Sequence, residues 1–272
     1  FIFGLAMQLG GGCGSGTLFT AGSGNLKMVI TLIFFIIGSL LGSYHFEFWT
    51  NLPSMGGFSL LNNFSKIQTI LIQLSLLTLI YIFISKLDLD RNNKITHSDI
   101  VSNSSHNFIK GPWPLLWGAI SLVFFSFLML QAAGHPWSVT FAFGLWGAKI
   151  AAAIGIDVAS WFYWQLEYPS TALENSVLAD PTTVSNIGII LGALIGSALS
   201  GKITKFSSVN KKLILAAVIG GLFMGYGARL AFGCNIGALF GGIASGSLHG
   251  WVWFLFAFLG SVVGVKFRKY FY

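Results

Sequence analysis

LLWGAISLVFFSFLMLQAA, residues 115–133, contains no Asp, Glu, Lys or Arg. A bilayer-spanning helix needs about 20 mostly apolar residues, with about 17 at the short end. A soluble core helix of that length would show a polar face every turn, and this one shows none. Apolar stretches of similar length occur at Met28–Tyr44, Ile67–Ser85 and Val184–Gly201, each without a charged side chain. The 272 residues are 54% hydrophobic and 8% charged, against about 25% charged in an ordinary soluble domain. The fold class expected is all-α, a polytopic membrane helix bundle whose principal partner is the lipid bilayer. Helices are expected at 26–48, 66–86, 113–134, 138–160, 184–202, 211–230 and 250–268.

The net charge of +7 would suggest nucleic acid in a soluble chain. Here the cations sit mainly between apolar runs, where Lys and Arg reach headgroups and set topology. No basic groove interleaved with aromatics is present, so nucleic acid is excluded as a partner. Trp49, Trp113, Trp137, Trp161, Tyr163, Trp164 and Trp251 lie near span ends, as interfacial belts do. Phe1–Leu9 reads as the tail of a helix whose beginning is missing, and it has neither the basic start nor the cleavage site of a signal peptide. Residues 1–272 are therefore expected to form one transmembrane transporter domain lacking an N-terminal part.

Lys86, Arg91, Lys94 and Lys110 mark one loop as cytoplasmic; Lys202, Lys205, Lys211 and Lys212 mark another, and Lys266, Arg268 and Lys269 mark the C-terminus. The acidic loop 157–182 suits the outside. Three apolar segments lie between the first two basic loops, yet an odd number of crossings cannot return the chain to one face. The segment 138–160, interrupted by Gly144, Gly147 and Lys149, is expected to be broken or re-entrant. Such segments are tolerated where protein or a wet cavity covers the freed backbone, and transporters keep their sites there.

Residues 3–19 align without gaps onto residues 224–240, pairing Gly12 with Gly233, Cys13 with Cys234 and Gly16 with Gly237. One inserted residue later, Ser23-Gly24 meets Ser245-Gly246, so the repeat motifs extend over 3–25 and 224–247. The two cysteines of the chain thus occupy equivalent positions. The positive-inside reading sends the helices that follow them in opposite directions, as an inverted repeat requires.

Each motif is Gly-Cys-x-x-Gly. Glycine lets the backbone turn sharply and leaves N–H groups uncovered. A cysteine there sets sulfur beside a helix N-terminus, where donors and dipole favour an anion. An anion with a soft sulfur end gains from both. Against this, buried cysteines commonly pack as small hydrophobes, and small-xxx-small spacing is ordinary helix packing in lipid. The matched positions of both cysteines favour the functional reading. Candidate binding residues are Cys13, Cys234, Gly12, Gly14, Gly233 and Asn235. Lys149 and Arg229 join them as ionisable groups in apolar surroundings, although a cation near a helix end also snorkels.

No Cys-x-x-Cys or clustered His/Cys spacing supports zinc, and no quinone, haem or flavin signature is found, so no cofactor and no enzymatic activity are expected. Asp88–Asp99 imitates a calcium loop with Asn93 at the usual glycine, a pattern that polar loops meet easily. His45, His97, His106, His135 and His249 read as interfacial polar residues.

Met7–Leu18, Gly144–Lys149 and Gly233–Ala238 together resemble the YeeE/YedE sulfur-transport family, the thiosulfate permeases, along nearly the whole chain. The resemblance implies an hourglass-shaped helical fold with an internal pseudo-two-fold in the cell inner membrane. It implies uptake of thiosulfate or a similar sulfur anion, passed through thiol contacts at a central constriction. Cys13 and Cys234 match two family cysteines; a third, nearer the N-terminus in the family, has no counterpart here. A small cytosolic sulfur-carrier protein is a partner implied by the resemblance alone. Two other readings stay open: a membrane thiol oxidoreductase cycling a Cys13–Cys234 disulfide, and a non-thiol solute channel.

Overall fold

The computed structural model describes residues 1–54, 56–92, 113–201 and 209–272. Its α-helices are α1 Ile2–Gly10, α2 Gly14–Gly22, α3 Leu26–Tyr44, α4 Phe46–Thr50, α5 Leu60–Asn63, α6 Lys66–Asn92 and α7 Leu115–Ala133. There follow α8 Thr140–Ala153, α9 Glu167–Glu174, α10 Pro181–Leu199, α11 Lys211–Leu230, α12 Gly241–Ala244 and α13 Leu248–Arg268. A π-helical turn, Asn235–Phe240, leads into α12. Among the described residues, six stretches are long and apolar enough to cross a membrane: α3, most of α6, α7, α10, α11 through α12, and α13. The chain is a multi-pass helical membrane protein.

Polar caps decide where the long helices begin. The Asn25 side chain accepts from Met28 N–H at 3.2 Å to start α3. Asp180 accepts from Thr183 N–H at 2.7 Å, with Pro181 at the first turn of α10. These caps satisfy N–H groups that have no partner within the helix. The expected start at 184 was late because hydropathy rises only after this cap. The expected helix 26–48 divides at His45 into α3 and α4.

The core is built on the contact of α3 with α11, with α1 held between α11 and α13. Glycines set these distances. A Cβ on Gly38 would run into the Leu222 backbone, and one on Gly225 would lie 2.6 Å from the Ser39 nitrogen. Close backbone approach through small residues is how helices associate where lipid removes the hydrophobic drive. By contrast α7 buries none of its side chains, which suits a lipid-facing helix.

The segment 138–160 is not one helix of spanning length. Its helical part, α8, has 14 residues, about 21 Å at 1.5 Å per residue, against a hydrocarbon core of about 30 Å. Gly144 and Gly147 do not interrupt it; they lie inside a continuous helix and serve packing. Without α8 as a crossing, two long helices, α7 and α10, separate the basic loops, and the parity conflict disappears. Asp88–Asn92 continues α6, and the remainder of the calcium-like loop lies outside the described residues, as do Lys94, Lys110, Lys202 and Lys205.

Candidate functional site: two cysteine turns and a buried arginine

Both cysteines stand at helix breaks. Cys13 is extended (φ −80°, ψ −175°) at the N-cap of α2, and Cys234 is extended (φ −110°, ψ −160°) before the π-helical turn. Their carbonyls close equivalent turns: Thr17 N–H donates to Cys13 and Ala238 N–H to Cys234, each at 2.8 Å. Gly11 (φ 94°) precedes the first turn and Gly233 (φ 152°) the second. Gly233 is obligatory, since a Cβ there would also lie 2.6 Å from the Ala238 nitrogen. Gly24 (φ 92°) and Gly246 (φ 72°) then end the two short helical segments before α3 and α13.

The turns meet. Cys234 is buried, Cys13 is half-buried, and both thiols are free. They belong to one core cluster with Leu18, Val139 and Phe143. At the position a Gly14 Cβ would occupy, Cys234 Sγ lies 3.3 Å away and Thr140 Cγ2 3.4 Å. Any side chain at residue 14 would separate the second cysteine from the first turn. The Cys13 thiol lies 3.4 Å from Ser15 Oγ. Backbone N–H groups of Ile236 and Gly237 face the Cys234 sulfur. Gly12 packs against Met28, and the side-chain oxygen of Asn235 is buried without a partner.

Beside these turns is a cavity of about 410 Å³, lined among others by Ser138, Thr140, Phe141, Tyr163, Tyr168 and Arg229. Tyr163, Tyr168 and Thr182 place it on the side of loop 157–182. Arg229 is only 7% exposed. Its guanidinium donates to Tyr163 Oη and, at 3.1 Å, to Ser39 Oγ, and lies 4.3 Å from the centre of the Tyr163 ring. Gly144 makes this possible, because a Cβ there would overlap the guanidinium. Lys149 is placed differently. Its ammonium donates to the carbonyls of Leu173 and, at 2.8 Å, of Asn175, at the C-terminal end of α9, and it does not line the cavity.

Sequence reasoning did not single out Ser39, Ser138 or Thr140, and it put Tyr163 in the interfacial belt, whereas Tyr163 is buried against Arg229. The available signal was Gly144, spaced to admit a large side chain from another helix. His135, read as interfacial, borders the cavity.

On the same side, Asp180 is buried and uses both carboxylate oxygens. One accepts from Tyr168 Oη at 3.1 Å, the other from Thr183 N–H at 2.7 Å and Thr183 Oγ1 at 2.8 Å. Burial, and after it the Asp180 charge, pushes the Tyr168 hydroxyl up to about 12.

Among proteins of similar sequence, a probable transporter named YedE from Escherichia coli K12 is 31% identical over 134 residues, 49% of this chain and 32% of that protein. A thiosulfate transporter, TsuA, from Spirochaeta thermophila is 38% identical over 85 residues, 30% of this chain and 26% of its own length. The TsuA of Escherichia coli K12 is 23% identical over 269 residues, 96% of this chain and 70% of that protein. The chain thus matches about a third or less of the YedE and Spirochaeta relatives. The family model described as sulphur transport matches residues 1–263, and the chain therefore belongs to the sulphur transport family.

Proposed function

We propose that the chain is an inner-membrane permease for thiosulfate or a related sulfur-containing anion, carried along a path that narrows between Cys13 and Cys234. The observation that carries this reading is the meeting of the two turns, with Cys234 Sγ packed on Gly14, the residue after Cys13. The second thiol is thus packed on the turn that carries the first. The cysteines act as S–H donors to the terminal sulfur. Gly12, Gly14 and Gly233 shape the turns, and Asn235 opens the π-helical turn that follows Cys234. Relatives named thiosulfate transporters support the choice of anion. The matching turn geometry supports reading residues 3–25 and 224–247 as an inverted repeat. Lys149 is left out of the anion path, since two carbonyls already engage it.

The test is thiosulfate uptake by the complete protein in cells lacking their own sulfur-oxyanion transporters. Serine keeps the size and a donor but replaces a soft S–H with a hard hydroxyl. Cys13→Ser and Cys234→Ser are each expected to reduce uptake strongly at matched membrane expression. Neither is expected to carry sulfate efficiently, because dehydrating a dianion takes the whole donor set. Wild-type uptake in Cys234→Ser would leave that cysteine as packing and favour the non-thiol channel.

A further inference from the structure

The first cysteine turn is covered by side chains from two other parts of the chain. Lys27, in the first turn of α3, donates through Nζ to the Leu9 carbonyl at 3.3 Å and to Tyr272 Oη. Tyr272 Oη donates in turn to the same Leu9 carbonyl at 3.3 Å. Lys27 Nζ lies 4.3 Å from the centre of the Tyr272 ring, and the Arg268 guanidinium 4.5 Å from it. One ring thus takes two cations. No carboxylate among the described residues meets Lys27, whose charged neighbour is Arg268, of the same sign. Two like charges brought together without an acid favour an anion beside them.

The space that these groups fill belongs to Gly11, which is exposed and left-handed (φ 94°). A Cβ there would lie 2.8 Å from Lys27 Nζ and 3.1 Å from Tyr272 Oη. In the alignment of the two cysteine segments Gly11 pairs with Phe232, which is also left-handed (φ 54°), a backbone that disfavours Phe. The Phe232 ring packs 5.7 Å from Phe46 and 6.5 Å from His249. At the second turn the aromatic is therefore part of the turn itself, and at the first it comes from elsewhere. Tyr272 is 50% exposed and follows α13 on a short bend, in which Phe271 and Tyr272 N–H donate to the Arg268 carbonyl. If the ring leaves, Leu9 keeps Lys27 and the hydroxyl meets water, so no polar group loses its last partner. A cation on a ring that water reaches is a weak contact, biasing a population only a few-fold.

We propose that Tyr272 is a movable stopper over the first cysteine turn, and that Lys27 and Arg268 receive the departing anion once the ring swings aside. Its place in transport rests on the permease reading above. Tyr272 follows Lys266, Arg268 and Lys269, on the face that the positive-inside rule makes cytoplasmic. In the closed state the ring occupies both cations, and its hydroxyl covers Gly11, two residues before Cys13. In the open state Gly11 leaves the approach to the half-buried Cys13 clear, and the two cations face it uncovered. An ammonium and a guanidinium read negative charge and do not tell sulfur from oxygen. Selection is therefore left to the thiols, and the stopper governs release.

The experiment uses the complete protein with Cys13 as its only remaining cysteine, in sealed vesicles of neutral lipid. The probes are a membrane-impermeant sulfonate thiol reagent and a neutral one of equal size. From the cytoplasmic side the sulfonate is expected to modify Cys13 about tenfold faster in Tyr272→Ala, the factor that two cation–π contacts supply. From the outer side the rates with and without Tyr272 should agree. In Tyr272→Ala the sulfonate should outpace the neutral reagent, and adding Lys27→Gln and Arg268→Gln should erase that preference. Equal cytoplasmic rates with and without Tyr272, or acceleration from the outer side instead, would overturn the stopper. Absence of the charge preference overturns the role of the two cations. Should Tyr272→Ala not fold, Arg268→Gln alone loosens the ring. A few-fold faster reaction with the neutral reagent then supports the stopper, and an unchanged rate overturns it. Vesicles with anionic lipid separate the two sources of negative charge. A preference over the triple variant that vanishes there assigns both cations to headgroups and overturns their part in the path. Labelling needs no transport, so the stopper and the permease reading fail separately. Wild-type thiosulfate uptake in Cys13→Ser and Cys234→Ser sinks the cysteine path and leaves the stopper on its labelling data. Lost uptake in those variants with unchanged Cys13 labelling sinks the stopper alone.

Discussion

Gly144 and Arg229 are two halves of one contact, although they lie on different helices. Gly144→Ala should improve helix propensity by about 1 kcal/mol, while overpacking the guanidinium costs about 1–3 kcal/mol. The expected result is a small net loss in thermal stability with a larger loss of uptake, as Arg229 is pushed off Ser39 and Tyr163. Uptake and stability both at wild-type level would show that the guanidinium has room to spare. Tyr168 gives a pH test at the same scale. Its folded pKa of about 12 lies above the ~10 of an unfolded tyrosine. Its stabilising contribution is therefore complete below about pH 10 and is lost as pH rises through about 12. The difference in melting temperature between wild type and Tyr168→Phe should stay constant from about pH 6 to 9 and shrink above about pH 10. A difference that changes between pH 6 and 9 would place the titration on another group. In the sequence, Arg229 was legible as a buried cation in apolar text. Its partners were not, because Ser39 and Tyr163 are distant in the chain and carry no pattern of their own.

At the scale of elements, α8 and α9 depend on each other through Lys149. A cation at a helix C-terminus offsets the negative end of the dipole and satisfies carbonyls left open there, a contribution of about 0.3–1 kcal/mol for an exposed end. Lys149→Met should lower the melting temperature slightly and leave thiosulfate uptake per folded protein unchanged. Collapse of uptake at unchanged stability would return Lys149 to the anion path. The sequence marked Lys149 as ionisable and half-way along an apolar run, and it described Arg229 in nearly the same terms. What separates them is rotation about a helix axis and the distance to the next element. The Asp180-Pro181 cap was readable as a helix start, but hydropathy alone set the expected boundary later. The length of α8 was less legible, since Ile154 and Ile156 continue its apolar text beyond the turn.

For the molecule as a whole, the basic loops predict orientation. Single cysteines placed in loops 87–110 and 203–210 and at the C-terminus should label from the cytoplasm, and those in 157–182 from outside. Outside labelling of loop 87–110 would reverse the assignment and put the Arg229 cavity on the inner face. What the sequence determined by itself is that the chain is a helical membrane protein. Lipid offers no hydrogen bonds to an exposed backbone, so long uncharged apolar runs have one common solution, the helix. It also put forward Cys13 and Cys234 as candidates, because two segments that align with both cysteines in register are visible without coordinates. Only the tertiary structure decided that the two turns meet at Gly14, that α8 stops short of spanning length, and that Arg229 faces a cavity while Lys149 caps a helix. Those outcomes depend on how closely α3, α8 and α11 approach. That approach is set by where small residues on one helix meet large ones on another, a pairing that apolar periodicity within single segments does not encode.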